Sequence, residues 1–368
     1  MKLIGSSVDE LDTPALLIDL NRLEKNVQEM QSLADSGGAA LRPHIKTHKC
    51  AKIAQMQIDG GAQGITVAKL GEAEVMADYG LTDIFVATQI VGRKKLARLE
   101  ALARRARIRL AVDSLVQLEQ LYEYGGEARS VGIMIEVNTG LQRCGVEPDQ
   151  VESLVEKIIR KFPETKIDGI FTHEGQVYNA ADRSELEKVA RQAQETMVEI
   201  GRRIRSRWGF PCEVSVGCTL GLLGAGVVPG VTEIRPGTYV FYDRTHAAFF
   251  GDTERCAATI LGTVISRPND ERAVADAGAK AMTIDLRASG LLATSGFGQV
   301  RGQQDVHIRK LSDEHAIMVP GTSFSIGQRI EIIPNHICPT VNLYQVAYGI
   351  RDGKVETVFP IHARGCNQ

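Results

Sequence analysis

The chain has 368 residues, of which 43% are hydrophobic and 24% are charged. This length suffices for about two domains with buried cores, and the composition excludes a disordered, collagen-like or coiled-coil chain. Its 43 Lys and Arg and 45 Asp and Glu give a formal net charge of -2, so the chain as a whole does not attract nucleic acid or an anionic membrane.

Short apolar, β-branched runs alternate with amphipathic stretches from about residue 15 onward, which predicts βα units around a parallel sheet. Strands are predicted over residues 15–20, 41–46, 64–68, 83–88, 109–113, 132–138, 168–173 and 213–217. Helices are predicted between them, for example over residues 21–34, 69–79 and 150–162. Eight strands with intervening helices favour a TIM-like (β/α)8 barrel, because no early GxGxxG turn marks the nucleotide-binding crevice of an open sheet.

The pattern changes after residue 245, where short β-type runs replace the helical periods. Strands are predicted there over residues 257–266, 273–276, 282–285, 315–320, 329–333 and 341–348. These runs indicate a second domain made of β-strands. We therefore expect a barrel over residues 10–245 and a β domain over residues 246–368, which residues 1–9 can also join.

The sequence has no apolar run of the ~18–20 residues that a membrane-spanning helix needs, and the first residues lack the apolar core of a signal peptide. We therefore expect a soluble, cytoplasmic protein. The seven cysteines are scattered, without a CxxC pair, so a disulfide framework is not expected. A cysteine with a chemical role would act as a thiolate.

Cationic and imidazole side chains cluster after the second predicted strand, in the run RPHIKTHK at residues 42–49. Barrel enzymes place their active sites at this end of the strands. A lysine among other positive charges and apolar neighbours holds its proton weakly and can attack a carbonyl group as a free amine. Lys46 is therefore a candidate Schiff-base lysine. From these eight residues alone, a surface loop is the alternative.

The run RPHIKTHK and the upstream segment LDTPALLIDLNRLEKNV resemble the signature of the metal-activated D-threonine aldolase and D-serine dehydratase family, relatives of the alanine racemases. The resemblance extends over nearly the whole chain. It implies an alanine racemase-like, fold-type III architecture, in which a TIM-like barrel is followed by a β domain. It also implies that Lys46 holds pyridoxal 5'-phosphate as a Schiff base, with His44 beside it.

Other segments match this family in the same order along the chain. VNTGLQRCG at residues 137–145 contains Arg143, which the resemblance places against the cofactor ring, where a positive charge keeps the phenolate oxygen ionised. The resemblance assigns catalytic roles to His173 and Tyr178 in addition to Lys46. It assigns further cofactor contacts to Gln176, Tyr178, Ser215, Gly217, Thr219, Gly237 and Tyr239. From the residues alone, a surface ion pair for Arg143 and a structural role for His173 stay open.

The segment PNHICPT at residues 334–340 contains a candidate metal site. In an extended chain, His336 and Cys338 project from the same side, and imidazole with thiolate suits zinc. His-x-Cys alone is a weak indication of a metal site. The resemblance makes it specific, because family members hold a divalent ion through His-x-Cys or His-x-Asp at this place; zinc is favoured, with manganese or magnesium as alternatives.

The resemblance implies a lyase that acts on D-3-hydroxy amino acids. Cys338 and Tyr178 resemble the dehydratases, which favours β-elimination of the D-serine dehydratase type, giving a 2-keto acid and ammonia. Retro-aldol cleavage to glycine and an aldehyde, as in the D-threonine aldolases, is the alternative. An amino-acid racemase and a non-catalytic protein that carries pyridoxal phosphate are two further alternatives. The family also implies a homodimer, with a small D-amino acid as ligand. The balanced charge and the lack of a spanning run predict no nucleic acid or membrane as partner.

Overall fold

The computed structural model describes residues 3–368 and divides them between a parallel barrel and a second sheet of mixed topology. The first strands are β1 (Ala15–Asp19), β2 (Ala40–Leu41), β3 (Ile65–Val67), β4 (Asp83–Gln89), β5 (Arg107–Val112), β6 (Gly132–Glu136), β7 (Ile167–Phe171), β8 (Glu213–Val216) and β9 (Glu233–Ile234). The helices among them are α1 (Leu20–Ser36), α2 (Ala51–Asp59), α3 (Leu70–Asp78), α4 (Arg93–Ala103), α5 (Leu115–Tyr124), α6 (Val151–Lys161), α7 (Arg183–Trp208), α8 (Thr219–Ala225) and α9 (Arg244–Phe250). The remaining elements are β10 (Ala258–Asn269), β11 (Arg272–Ala275), β12 (Gln299–Val300), β13 (His307–Leu311), β14 (Ala316–Val319), β15 (Arg329–Ile333), α10 (Ile337–Val341), β16 (Val346–Arg351) and β17 (Lys354–Pro360).

The barrel consists of strands β2 to β9, all parallel. Strands β3 to β9 pair in chain order, and β2 pairs with β9. A parallel bridge between His44 and Thr66 joins the continuation of β2 to β3 and closes the ring. The predicted (β/α)8 barrel is confirmed.

One predicted barrel strand belongs elsewhere. Residues 15–20 do form a strand, β1, but it pairs with β10 and β16 of the second sheet. The eighth barrel strand is β9, a two-residue strand that sequence reasoning missed. It is short and begins with a charged residue, Glu233, so it lacks the apolar run by which the other buried strands were identified.

The second sheet is a β domain that β1 completes. The predicted strands at 257–266, 273–276, 315–320 and 329–333 correspond to β10, β11, β14 and β15. Two predictions were wrong: residues 282–285 are irregular, and residues 341–348 contain the end of α10 before β16 begins. Strands β12, β13 and β17 were missed; the last two carry exposed charged residues, which hide the apolar alternation.

The helices begin and end where local chemistry favours it. At the start of α7, the Asp182 side chain accepts a hydrogen bond from the backbone N–H of Glu185 at 2.9 Å. The helix ends at Gly209, whose φ of 74° is left-handed, the conformation that favours glycine. In residues 3–368, no helix is both long enough and apolar enough to cross a bilayer.

Each barrel strand buries both of its faces. Outward-facing residues such as Ile84 and Val86 belong to the large core under the helices. Inside the ring, Phe85 packs in a small apolar cluster with Ala111, Met134 and Phe171. The interior also holds a charge network, in which Glu233 accepts hydrogen bonds from Arg42 at 2.7 Å and Arg109 at 3.1 Å. This network forms the floor of the barrel beneath the carboxyl ends of its strands.

Candidate active site

A cavity of about 500 Å³ opens at the carboxyl ends of the barrel strands and is closed on its far side by the β domain. Most residues proposed from the sequence line it, from both domains. The predicted residues in its wall are His44, Lys46, Arg143, His173, Tyr178, Gly217, Thr219, Gly237, His336 and Cys338.

Lys46 lies on a single 3-10 turn that follows β2, at the carboxyl end of that strand. The His44 ring accepts a hydrogen bond from the Lys46 backbone N–H at 3.4 Å, which holds the turn. Burial lowers the pKa of Lys46 below its ordinary value; the Cys338 thiolate opposes this change and Arg143 adds to it. The lower pKa increases the fraction of Lys46 that is present as the neutral, nucleophilic amine near pH 7.

Two consecutive residues after β7, His173 and Glu174, form hydrogen bonds with the backbone of Gly217. His173 Nδ1 donates to the Gly217 carbonyl oxygen at 2.6 Å, and Glu174 Oε2 accepts from the Gly217 N–H at 3.1 Å. Burial, together with the charge of Lys46, lowers the pKa of His173 to about 3, so the ring is neutral near pH 7. Burial raises the pKa of Glu174 to about 7. Its Oε1 has no hydrogen-bond partner within residues 3–368.

Asp243 and His246 form a buried pair that sequence reasoning missed. Asp243 Oδ1 lies 2.6 Å from His246 Nδ1, and His246 Nε2 lies 3.4 Å from the Tyr178 hydroxyl. Asp243 Oδ2 accepts a hydrogen bond from the Ile337 N–H at 3.1 Å. One carboxylate therefore orients an imidazole in the cavity and ties the barrel to the segment that contains His336 and Cys338. Aspartate three residues before histidine at the start of α9 was the available sequence signal.

Burial raises the pKa of Tyr178 well above its ordinary value, and the nearby Cys218 and Asp243 add to the shift. For Asp243, burial alone would raise the pKa, but the contact with His246 outweighs it and the pKa is lowered. The carboxyl is therefore ionised, whereas the phenol keeps its proton near pH 7.

His336 and Cys338 lie at the start of α10. The prediction of an extended segment here was wrong, because Ile337–Val341 is a short helix and His336 is the residue before it. Both residues nevertheless line the cavity. His336 Nδ1 is 2.8 Å from Asp285 Oδ2, and Cys338 Sγ is 3.3 Å from Thr47 Oγ1. Burial raises the pKa of Cys338, but hydrogen bonding to His336 outweighs it, so the pKa is lowered.

Three predicted cofactor contacts do not reach the cavity wall. Ser215 Oγ is occupied below it, donating to Glu233 at 2.7 Å and accepting from Arg235 at 2.7 Å. The Tyr239 ring is fully buried, and its hydroxyl accepts a hydrogen bond from Gln57 at 2.8 Å. Gln176 donates to the Thr139 carbonyl oxygen at 2.8 Å. Protein partners therefore take the hydroxyls of Ser215 and Tyr239, whereas Gln176 keeps a buried Oε1 that has no hydrogen-bond partner within residues 3–368.

Arg235 lines the cavity floor and was also missed. Its Nη2 donates to the Thr172 carbonyl oxygen at 2.5 Å, and its guanidinium packs against the rings of Phe85 and Phe171. The signal was the charge alternation Glu233-Ile234-Arg235, which places two charged side chains on the same, inner face of a strand.

A second group of potential ligand atoms lies near Arg143. One oxygen each of Asp113 and Glu136 and the sulfur of Cys144 lie within 4.8 Å of one another. Both carboxylates already accept hydrogen bonds from Gln89. Within the described residues, these three do not line the cavity that contains Lys46, whereas His336 and Cys338 do, and a metal assay can tell the two groups apart.

Comparison with known proteins decides the family. Residues 18–245 match the alanine racemase N-terminal domain, and residues 257–350 match a putative serine dehydratase domain. The chain is 32% identical to D-threonine aldolase of an Arthrobacter species, over 98% of this chain and 95% of that protein. It belongs to the D-threonine aldolase and D-serine dehydratase family of pyridoxal phosphate-dependent lyases.

Other members of this lyase family agree in sequence and in structure. D-threo-3-hydroxyaspartate dehydratase of Delftia sp. (strain HT23) is 33% identical over 96% of this chain and 98% of its own length. The crystal structure of D-threonine aldolase from Filomicrobium marinum superposes with a TM-score of 0.90, at 32% identity, covering 99% of each chain. A cysteine-to-alanine variant of a D-threo-3-hydroxyaspartate dehydratase has been solved in a metal-free form, at 32% identity, with a TM-score of 0.90 and coverage of 96% of this chain and 98% of that one. The predicted family and the predicted barrel followed by a β domain are confirmed.

Proposed function

We propose that this lyase uses pyridoxal 5'-phosphate and a divalent metal ion to eliminate water from D-3-hydroxy amino acids. The released enamine product is then hydrolysed by water to a 2-keto acid and ammonia. The observation that carries the proposal is that the Lys46 amine and the His336 and Cys338 pair line one cavity of about 500 Å³. This volume is typical of a pocket for a small ligand with a bound cofactor.

The chain's residues fit the cofactor. Lys46 Nζ has no hydrogen-bond or ion-pair partner within the part of the chain that the structure describes, so its amine is free to react. Gly217 and Gly237 line the cavity without side chains, and a Cβ at Gly237 would lie 3.0 Å from the His44 carbonyl oxygen. The bare backbone of Gly217 and Gly237 and the Thr219 hydroxyl would therefore face the phosphate, while Arg143 would lie against the ring. Pyridoxal phosphate supplies an electron sink that makes the substrate's α-proton acidic.

His336 and Cys338 would hold the metal ion. Imidazole and thiolate suit zinc, with manganese or magnesium as alternatives, and the lowered pKa of Cys338 favours the thiolate form. The Asp285 carboxylate orients the His336 ring through its contact at 2.8 Å. A bound ion would supply Lewis acidity next to the substrate's β-carbon. The metal-free form of the solved dehydratase variant that lacks a cysteine supports a cysteine ligand in this family.

The side chains around Lys46 divide the proton transfers between them. Lys46 Nζ, once free, takes the proton from the substrate's α-carbon, and its lowered pKa suits it to this role as a base. Tyr178 keeps its proton near pH 7, so its hydroxyl can donate toward the departing oxygen. His173 stays neutral and fixes the Gly217 turn beside the phosphate position.

His246 supports a second candidate function, retro-aldol cleavage to glycine and an aldehyde. This reaction begins with removal of the β-hydroxyl proton. His246, oriented by Asp243 and 3.4 Å from the Tyr178 hydroxyl, is a base placed to accept that proton through the phenol. The same cavity can therefore support both lyase reactions, and the products decide between them.

The decisive experiment measures those products. The enzyme reconstituted with pyridoxal phosphate and Zn²⁺ is incubated separately with D-serine, D-threonine and D-threo-3-hydroxyaspartate, and keto acid, ammonia, glycine and aldehyde are assayed. We expect keto acid and ammonia in equal amounts; glycine as the main product would establish the aldolase instead. Lys46→Ala should lose both activity and the visible absorbance of the bound cofactor, whereas the exposed Lys52→Ala should keep both. Full absorbance in Lys46→Ala would contradict the lysine assignment.

Measurement of bound zinc tests the proposed metal site at His336 and Cys338. We expect Cys338→Ala to lose bound zinc and activity while it keeps cofactor absorbance. Cys144→Ala is the matched control, because it removes a thiol from the other potential ligand group near the same cavity. Loss of zinc in Cys144→Ala and retention in Cys338→Ala would reverse the assignment.

The homodimer and the cytoplasmic location stay predictions that rest on the family resemblance and the sequence. Light scattering of the purified holoenzyme measures the first of them directly.

A further inference from the structure

The loop between β11 and β12 of the β domain contacts the barrel at the edge of the cavity. Within it, the Leu291 N–H donates to the Ala180 carbonyl oxygen at 3.1 Å, and the Leu292 side chain is buried against the barrel. The backbone of Arg287 is held by Thr294, which accepts from the Arg287 N–H at 3.2 Å and donates its own N–H at 3.0 Å. Arg287 therefore has a fixed backbone position in the cavity wall.

The guanidinium of Arg287 contacts Tyr178, but no carboxylate of the described residues neutralises its charge. It lies 4.9 Å from the centre of the Tyr178 ring, and Nη1 donates to the Tyr178 carbonyl oxygen at 3.4 Å. Within residues 3–368, it has no carboxylate within 4.0 Å, whereas Arg143 has Glu136 at 4.0 Å. Arg235, the third arginine in the wall, donates to Ser215 and Thr172 and is only 4% exposed, on the floor of the cavity. Since a guanidinium has five N–H donors, Arg287 has several left for a ligand.

The loop also places Arg287 on the metal side of the cavity. Asp285, two residues before it, contacts His336 at 2.8 Å. Two residues of chain span at most about 7 Å, so Arg287 enters the cavity next to the proposed metal ligands. A substrate whose β-hydroxyl reaches an ion on His336 and Cys338 has its β-carbon there, and any further substituent on that carbon approaches the same loop.

We propose that Arg287 binds a carboxylate on the substrate's β-carbon, which makes D-3-hydroxy dicarboxylic amino acids, such as 3-hydroxyaspartate, the preferred substrates. The inference rests on the proposed lyase function and names its substrate class. A planar guanidinium with free donors matches a carboxylate in a bidentate way, and its position over Tyr178 leaves it nothing to pair with when the substrate carries only a methyl group or hydrogen.

Binding and turnover test this separately. D-aspartate and D-alanine lack the β-hydroxyl, so titrating the holoenzyme with each and following the cofactor absorbance measures recognition of the side-chain carboxylate without elimination. We expect wild type to prefer D-aspartate, and Arg287→Gln to weaken D-aspartate about 10- to 100-fold more than D-alanine. The kcat/KM ratio of D-threo-3-hydroxyaspartate to D-threonine should fall by the same factor. Arg309→Gln, an exposed arginine on β13, is the control and should leave both ratios unchanged.

Equal weakening of D-aspartate and D-alanine would overturn the inference, because it would mean that Arg287 binds the α-carboxylate that both ligands share. A wild-type preference for D-alanine would overturn it as well. Failure of the lyase proposal looks different: none of the D-3-hydroxy amino acids is consumed, although the D-aspartate titration still reports whether Arg287 recognises the second carboxylate.

Discussion

Replacement of Glu233 by glutamine tests whether the buried charges of the barrel floor support the cavity above them. Glu233 Oε2 accepts from Arg42 at 2.7 Å and from Arg109 at 3.1 Å, and Oε1 accepts from Ser215 at 2.7 Å. The two arginines and Glu233 are only 2–4% exposed at their side chains. Removing one partner of a buried ion pair costs about 3–5 kcal/mol of unfolding free energy, because a buried charge is left unpaired.

The expected loss for Glu233→Gln lies at the lower end, about 3 kcal/mol, because each arginine keeps another partner. Arg42 retains Asp83 at 2.6 Å, and Arg109 retains Glu213. Urea unfolding followed by circular dichroism at pH 7 measures this loss. Glu213→Gln is the matched control, since its side chain is 41% exposed and its removal should cost no more than about 1 kcal/mol. A cost for Glu233→Gln no greater than for the control would refute the reasoning.

The difference in unfolding free energy between wild type and Glu233→Gln should depend on pH. Burial alone would raise the pKa of Glu233, but Arg42 and Arg109 outweigh it and the pKa is lowered. A lowered pKa in the folded state means that the stabilisation is complete above the ordinary glutamate pKa of about 4.3 and is lost as the pH falls through the folded value. The difference between wild type and Glu233→Gln should therefore narrow below about pH 4.

Three further predictions follow from the site. Burial raises the pKa of Glu174 to about 7, so its contribution to stability is present at low pH and lost as the pH rises through that value. Glu174→Gln should remove this decline between about pH 4 and pH 7 in urea unfolding, and parallel curves for the two proteins would contradict the assignment. Asp243→Asn should lower kcat about 10- to 100-fold with cofactor absorbance retained, because it disorients both His246 and the segment at Ile337; an unchanged kcat would show that neither needs the carboxylate. Gly217→Ala should weaken cofactor retention during dialysis, because its Cβ would lie 2.8 Å from Arg235 Cβ; retention equal to wild type would show that the turn can adjust.

Local patterns of apolar residues in the sequence were enough to predict much of the fold. Helices α1, α3 and α6 lie within about two residues of their predicted ends, because each has a regular apolar face against the barrel. The place of β1 could not be read in this way. An apolar strand of five residues can join any sheet, and its pairing with β10 and β16 depends on partners more than two hundred residues away.

By itself, the sequence determined the family, the barrel with its β domain, and a lysine and a His-x-Cys pair as the candidate reactive groups, since each of these is written in contiguous residues. Only the tertiary structure decided which polar groups are available to a ligand. Ser215 and Tyr239 are turned to protein partners, whereas Asp243 and His246 from one segment and Arg287 from another converge on the cavity. A hydrogen bond or a missing counter-charge is a property of neighbours in space, and the chain brings those neighbours together only when the barrel closes against the β domain.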